Sequence, residues 1–113
     1  MAATKTQGEG GYVKIYRAIT DWEWFQDPNT LQLWLYILIR VNYEPSRFRG
    51  IRIGRGEMIE SLQELAEHTG LTVNKVRTAL DHLKTTREIT CRTTRHGTLI
   101  KVLNYAVYQG LPE

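Results

Sequence analysis

A chain of 113 residues, 42% apolar and 24% charged, has room for one small domain around one hydrophobic core, and its composition is that of neither a disordered nor a membrane protein. Its formal charge is +3, and its single cysteine, Cys91, excludes an intrachain disulfide and reads as a small buried thiol. No run reaches the ~18–20 apolar residues of a membrane helix and the N-terminus lacks the apolar core of a signal peptide, so a cytoplasmic protein without membrane contact is expected.

Residues 1–11 are small, polar and glycine-rich, and are expected to form a flexible leader to a domain spanning 12–109. "YVKIYRAI" alternates Val13 and Ile15 with Lys14 and Tyr16, the pattern of a short strand or extended arm. "TDWEWFQ" crowds three aromatics into what reads as a short helical turn. Asp27 is then placed as an N-cap and Pro28 at the first helical position, which predicts a helix from Pro28 to Asn42. Leu31, Leu33, Trp34, Leu35, Ile37, Leu38, Ile39 and Val41 cover almost all of its faces. Such a helix is expected to be the spine of the core, and one so hard to cover in a small domain predicts a homo-oligomer.

"EPSRFRGIRIGRGEM" reads as a loop with a short extended piece at Ile51 to Ile53, in which Arg47, Arg49, Arg52 and Arg55 surround Phe48. A basic loop with an embedded aromatic can hold a phosphate backbone, and a solvated loop has the same sequence signature. "EMIE" is a strand candidate. Ser61 and Glu64 form the S-x-x-E capping box of "SLQELAEHTG", whose inward face is Leu62, Leu65 and Ala66 and whose left-handed cap is Gly70. Thr72 caps the next helix, with Val73, Val76, Leu80 and Leu83 at spacings of three and four. Two short helices joined around a glycine predict a helix-turn-helix.

"EITCRTT" and "GTLIKVLNY" each have strand composition, and "RTTRHG" between them reads as a basic hairpin tip with Gly97 available for positive φ. Helix, helix, strand, basic loop, strand is the winged-helix order. The expected fold is therefore α+β, mainly α with a small β-hairpin, a winged helix-turn-helix with an N-terminal extension. In that arrangement the second helix enters the DNA major groove and the hairpin reaches a phosphate strand or the minor groove.

Charge follows the same division. Lys75, Arg77, Lys84, Arg87, Arg92, Arg95 and Lys101 face only Asp81 and Glu88 between residues 74 and 101, whereas 57–67 carries Glu57, Glu60, Glu64 and Glu67 and no cation. This layout predicts one basic surface turned to a polyanion and an acidic surface turned away. On the second helix, Asn74, Lys75, Arg77, Thr78 and Asp81 lie opposite Val76 and Leu80. Asn74, Arg77 and Thr78 are the candidates for base edges, Arg77 and Asn74 because each can make two hydrogen bonds to one base. Lys75, Lys84, Arg92, Arg95 and Lys101 are the candidates for phosphates. Trp22, Trp24, Phe25 and Trp34 have the chemistry to stack on single-stranded DNA, but their clustering beside the most apolar helix favours core or subunit packing. His68, His82 and His96 lie on different elements with no partner carboxylate and no metal-ligand spacing in sequence, so neither metal nor cofactor is expected. No phosphate loop, nucleophile–base pair or paired carboxylates are present in the sequence, and the chain is not expected to be an enzyme.

The blocks "GYVKIYRAITDWEWFQDPNTLQLWLYILIRVNY", "GEMIESLQELAEHTGLTVNKVRTALDHLKTTREIT" and "GTLIKVLNYAVYQ" together resemble the N-terminal domain of DnaD-type primosome proteins and phage replisome organizers, over about Gly11 to Gln109. The most specific parts are "SLQELAEHTGLTVNKVRTALDHL" and "NYAVYQ". The resemblance implies a part in starting bacterial or phage DNA replication, contact with double-stranded DNA and other replisome proteins, and self-assembly. Family members usually place glycine near the end of the recognition helix where this sequence has "TTREI", which predicts a left-handed Arg87 at roughly 1 kcal/mol. Residues 110–113 read as a tail; similar replication proteins continue into a further domain, and the tail fits either the start of a linker to such a domain or the end of a naturally short protein. Two other functions fit the same residues: a winged-helix transcriptional repressor, and a protein-interaction scaffold whose basic face is incidental.

Overall fold

The computed structural model describes residues 11–112; the expected leader lies outside these apart from Gly11, as does Glu113 of the expected tail. Helix α1, Pro28–Arg40, begins as its sequence predicts, with the Asp27 carboxylate accepting from the Thr30 N–H at 3.1 Å and Pro28 in the first turn. It stops short of the expected Asn42 because that residue's backbone is taken elsewhere. The Asn42 N–H donates to the Glu57 carbonyl at 2.9 Å, and the Asn42 carbonyl accepts from the Gly56 N–H at 2.7 Å. One face, Leu33, Trp34, Ile37 and Leu38, is buried, whereas Leu31 and Leu35 are half-buried and Ile39 is 64% exposed. The described residues thus cover one side of α1, which flanks the core and keeps Leu31, Leu35 and Ile39 along its less covered side.

Helix α2, Leu62–Thr69, has both halves of the Ser61–Glu64 capping box and ends at left-handed Gly70; helix α3, Val73–Thr85, starts at Thr72, whose hydroxyl accepts from the Lys75 N–H at 3.1 Å. Val76, Ala79, Leu80 and Leu83 form its buried side. Arg87 is left-handed at φ 65°, and the Glu88 N–H returns to the Leu83 carbonyl at 2.9 Å, a Schellman closure made without glycine.

Three strands follow the order β3 (Glu57–Glu60), β5 (Gly97–Val102), β4 (Ile89–Thr94), all antiparallel. Gly97 takes φ 135° at the β4–β5 turn, where a Cβ would stand 2.9 Å from the Glu60 carbonyl carbon. Alternation sends Met58, Ile89, Cys91, Ile100 and Val102 toward the helices, in one cluster with α1, α2 and α3. Cys91 is half-buried, and this burial pushes its thiol pKa up.

Three features depart from the sequence reading. Residues Ser46–Phe48 (β1) and Ile51–Ile53 (β2) form a second hairpin, turned by Arg49 and Gly50 at φ 50° and 83°, where one extended piece in a loop was expected. Strand β5 ends at Val102 rather than running on to Tyr105: left-handed Asn104 starts helix α4, Tyr105–Gln109. Residues 11–16 are an irregular arm, not a strand, before a 3-10 turn at Arg17–Asp21. The arm's backbone meets a side chain instead of a ladder. Gln109, buried on α4, accepts from the Lys14 N–H at 2.7 Å and donates to the Lys14 carbonyl at 3.3 Å, while the Tyr16 hydroxyl donates to the Tyr108 carbonyl.

The described residues therefore build an α+β fold of four α-helices and two small antiparallel sheets, with more β structure than the single hairpin expected. No helix among them is long and apolar enough to cross a membrane.

Candidate nucleic-acid interface

The polar side of α3 is open along its length. Asn74, Lys75, Arg77, Thr78, Asp81 and Lys84 are all exposed, because burying Val76, Ala79, Leu80 and Leu83 rotates every other position away from the core. Arg77 leans on Asn74, its Nη1 donating to Oδ1 over 3.4 Å, so the two residues best suited to read bases stand side by side. Asn74, Lys75 and Thr78 also line a shallow depression of about 210 Å³ with Asp27, Asn29 and His82 from the α1 entry and the far end of α3. Asp27 and Asn29 were not legible as neighbours, since 45 or more positions separate them from Asn74 in the chain, whereas His82 follows Thr78 by one helical turn.

Lys84 has a local partner: its Nζ lies 3.3 Å from Asp81 Oδ1, one turn back on the same face, an exposed ion pair of small weight. Asp81 itself is 70% exposed and places a carboxylate in the middle of the surface expected to be basic.

Arg92 and Lys101 do not join α3. Alternation along β4 and β5 puts them on the opposite side of the sheet from Cys91, Ile100 and the helices, on the outer face shared by Thr90 and Leu99. This corrects the expectation of one surface for all eight residues: Asn74, Lys75, Arg77, Thr78 and Lys84 lie on α3, Arg95 at the β4–β5 tip, and Arg92 and Lys101 on the outer sheet face. Spacing along a strand determines which face a residue takes only once the strand's register on the core is known.

The expected separation of acid from base is also corrected. Glu57 stands directly opposite Lys101 across the β3–β5 ladder, on the outer face. Glu60 points the other way and is buried, 8% exposed, where Tyr36 Oη donates to its Oε2 at 2.8 Å and His68 Nδ1 lies 3.1 Å from its Oε1. Arg40 Nε completes the group at 3.9 Å. The Tyr36 phenol is pushed up to about 12 by its burial first, then by the hydrogen bond and negative charge of Glu60.

Histidine partners absent from the sequence pattern emerge here as well. His68 meets Glu60, and His82 Nδ1 lies 3.4 Å from Asp27 Oδ2 and 2.8 Å from Thr30 Oγ1, so the expectation of no partner carboxylate is wrong for both. Each histidine meets a single carboxylate, and no group of three or more potential metal ligands occurs among the described residues. Trp24 stacks on His82 at 4.1 Å with an interplanar angle of 7°, its Nε1–H donating to Thr86 Oγ1 at 2.9 Å. The Trp22 Nε1–H donates to Glu88 Oε2 at 3.2 Å, and that ring lies 5.6 Å from Trp34. Both indoles thus fasten the N-terminal segment to the end of α3, the packing role their clustering favoured.

Arg55 among the loop arginines is likewise structural. Its Nε donates to the Tyr43 carbonyl at 2.9 Å and its Nη1 to the Pro112 carbonyl at 2.5 Å. Comparison of the chain with protein-family models, curated proteins and solved structures returns no match.

Proposed function

We propose that this chain is a winged-helix DNA-binding module that assembles on duplex DNA at the start of replication, with α3 as the recognition helix and the β4–β5 hairpin as the wing. The observation that carries this reading is the outward face of α3: Asn74, Arg77 and Thr78 are exposed at the N-terminal half of a firmly capped helix, where a helix-turn-helix presents its base-reading residues. The order of elements supports it too, since α2 and α3 are joined by a tight glycine-capped turn and followed directly by a hairpin carrying Arg95 near its tip. The resemblance to DnaD-type and phage replisome organizer domains supplies the replication context, the replisome partners and the self-assembly. Exposed Ile39, with half-buried Leu31 and Leu35 along the same side of α1, is the surface proposed for a second copy.

A gel-shift titration with random-sequence duplex and single-stranded probes at two salt concentrations tests the reading. Duplex binding should weaken steeply with salt, log Kobs falling with log salt by ~0.9 for each phosphate contacted. Arg77→Glu should weaken it at least about tenfold, a loss within the ~1–3 kcal/mol range of one base-reading arginine. Binding to random duplex that is absent at low salt, or indifferent to Arg77→Glu, would leave the interaction scaffold as the better reading. A preference of ~10³ or more for one palindromic site would favour a repressor.

A further inference from the structure

The outer face of the three-stranded sheet is covered in part by the β1–β2 hairpin. Phe48 meets His96 of the β4–β5 turn edge-on at 6.0 Å, and Arg52 shares an open groove of about 610 Å³ with Lys101 and Glu57. Ile53 and Leu99 are both buried, at 5% and 8% exposure, yet stand apart from the main core cluster, as a separate small contact on this side of the sheet requires. The hairpin is therefore docked against the sheet, with Arg47, Arg49 and Arg52 exposed on it.

Those charges are arranged against its own stability. Arg47 and Arg52 are direct cross-strand partners on the hairpin face opposite Phe48, Ile51 and Ile53, a placement in which like charges destabilise a β-pair. Neither makes an ion pair among the described residues. Arg49, at the turn, lies over the Phe48 ring at 5.2 Å, and Arg92 and Lys101 stand on the sheet face below. Glu57 is the one carboxylate in the groove, and its Oε1 already accepts from the Gly54 N–H at 2.6 Å. Two opposed arginines on a docked hairpin, flanked by three more cations, are the arrangement a row of phosphates would neutralise.

We propose that the β1–β2 hairpin and the outer sheet face form a second DNA-binding surface, which grips the phosphate backbone of a DNA segment other than the one on α3, so that one molecule joins two segments. The two surfaces lie on opposite sides of the sheet, since Arg92 and Lys101 point away from the layer that contains α3. The inference rests on the reading of α3 as DNA-binding, and it assigns the hairpin a sequence-independent role, because its donors are arginines and a lysine with no partner positioned to select a base.

A capture assay with two random-sequence duplexes, one on beads and one fluorescent, tests it with the whole chain at about 50 mM salt, where phosphate contacts are strong. Both wild-type protein and Ile39→Lys, which lacks the proposed α1 pairing and so cannot bridge through two α3 faces, should carry the fluorescent duplex to the beads. In the Ile39→Lys background, the pair Arg47→Thr and Arg52→Thr, which suits a strand and removes the like-charge contact, should bind the first duplex but capture the second at least about tenfold less. The salt slope of that capture should fall by ~1.8, about 0.9 for each lost phosphate contact. The pair Arg47→Lys and Arg52→Lys should retain capture, since a phosphate contact needs the charge more than the guanidinium.

Wild-type protein that binds one duplex through Arg77 without capturing a second overturns the inference and leaves the α3 reading standing. The same holds if Ile39→Lys alone loses capture, if the threonine pair captures like its Ile39→Lys parent, or if the lysine pair fails with the threonine pair. Wild-type protein that binds no duplex at all removes both.

Discussion

Arg87 shows how one backbone angle is carried without the residue that suits it. It stands at φ 65°, where a Cβ is unfavourable by roughly 1 kcal/mol, because the Glu88 N–H must reach back to the Leu83 carbonyl to end α3 and launch β4. Arg87→Gly should therefore raise stability by ~0.5–1 kcal/mol in urea unfolding, the relief of strain being offset in part by the freer unfolded chain. An unchanged or lowered midpoint would mean that the Arg87 side chain contributes contacts that outweigh its strain. The strain was legible in "TTREI", because helix ends are local events decided within about six residues. The like-charge pairing of Arg47 with Arg52 was not, because it depends on the two-residue turn at Arg49 and Gly50 that aligns the strands.

At the scale of elements, Glu60 ties α1, α2 and β3 together. Its buried carboxylate takes the Tyr36 hydroxyl from α1 and His68 from α2, with Arg40 at the edge. Tyr36→Phe removes one donor from a buried acceptor and should lower stability by ~1–2 kcal/mol at neutral pH. The phenol adds a pH dependence of defined sign. Its pKa is about 12 folded against 10.0 unfolded, so its contribution is complete below pH 10.0 and is lost as pH rises toward about 12. Solvent screening of this partly open group should keep that contribution below ~1 kcal/mol. Chemical unfolding of wild type and Tyr36→Phe at neutral pH and across this alkaline window should show the gap between them narrowing; a constant gap would remove Tyr36 titration as its cause.

The helices of this scaffold were readable one at a time. Asp27 with Pro28, Ser61 with Glu64, Gly70 and Thr72 cap their own backbone within three or four residues, so composition and spacing suffice. Helix α4 was not readable, being five residues long and too short to form alone. It exists because Tyr105 packs against Gly56, where an added Cβ would come within 2.9 Å of the Tyr105 Cβ, and because Gln109 clasps the Lys14 backbone from 95 positions away. The "NYAVYQ" segment thus has a structural task, the fastening of the N-terminal arm to the end of the sheet.

For the whole molecule, the proposed assembly and the proposed DNA contacts use different faces. Leu31, Leu35 and Ile39 recur every four residues on α1, away from its buried side, and are apolar enough to pair with a second copy. Light scattering at tens of micromolar should give a mass of at least two chains, an association with Kd in or below that range. Ile39→Lys should shift it toward one chain without lowering thermal stability, since Ile39 is already mostly exposed. A monomeric wild type would leave the stripe without this role.

Sequence by itself determined the caps, the helix pair, the β4–β5 hairpin and the exposed polar face of α3, because each follows from periodicity and hydrogen bonds closed within a few residues. Tertiary structure alone decided which sheet face Arg92 and Lys101 occupy, what the histidines touch and where the arginine hairpin docks. Those outcomes depend on strand register and on packing between segments tens of residues apart, and a two-residue period allows either face until the core selects one.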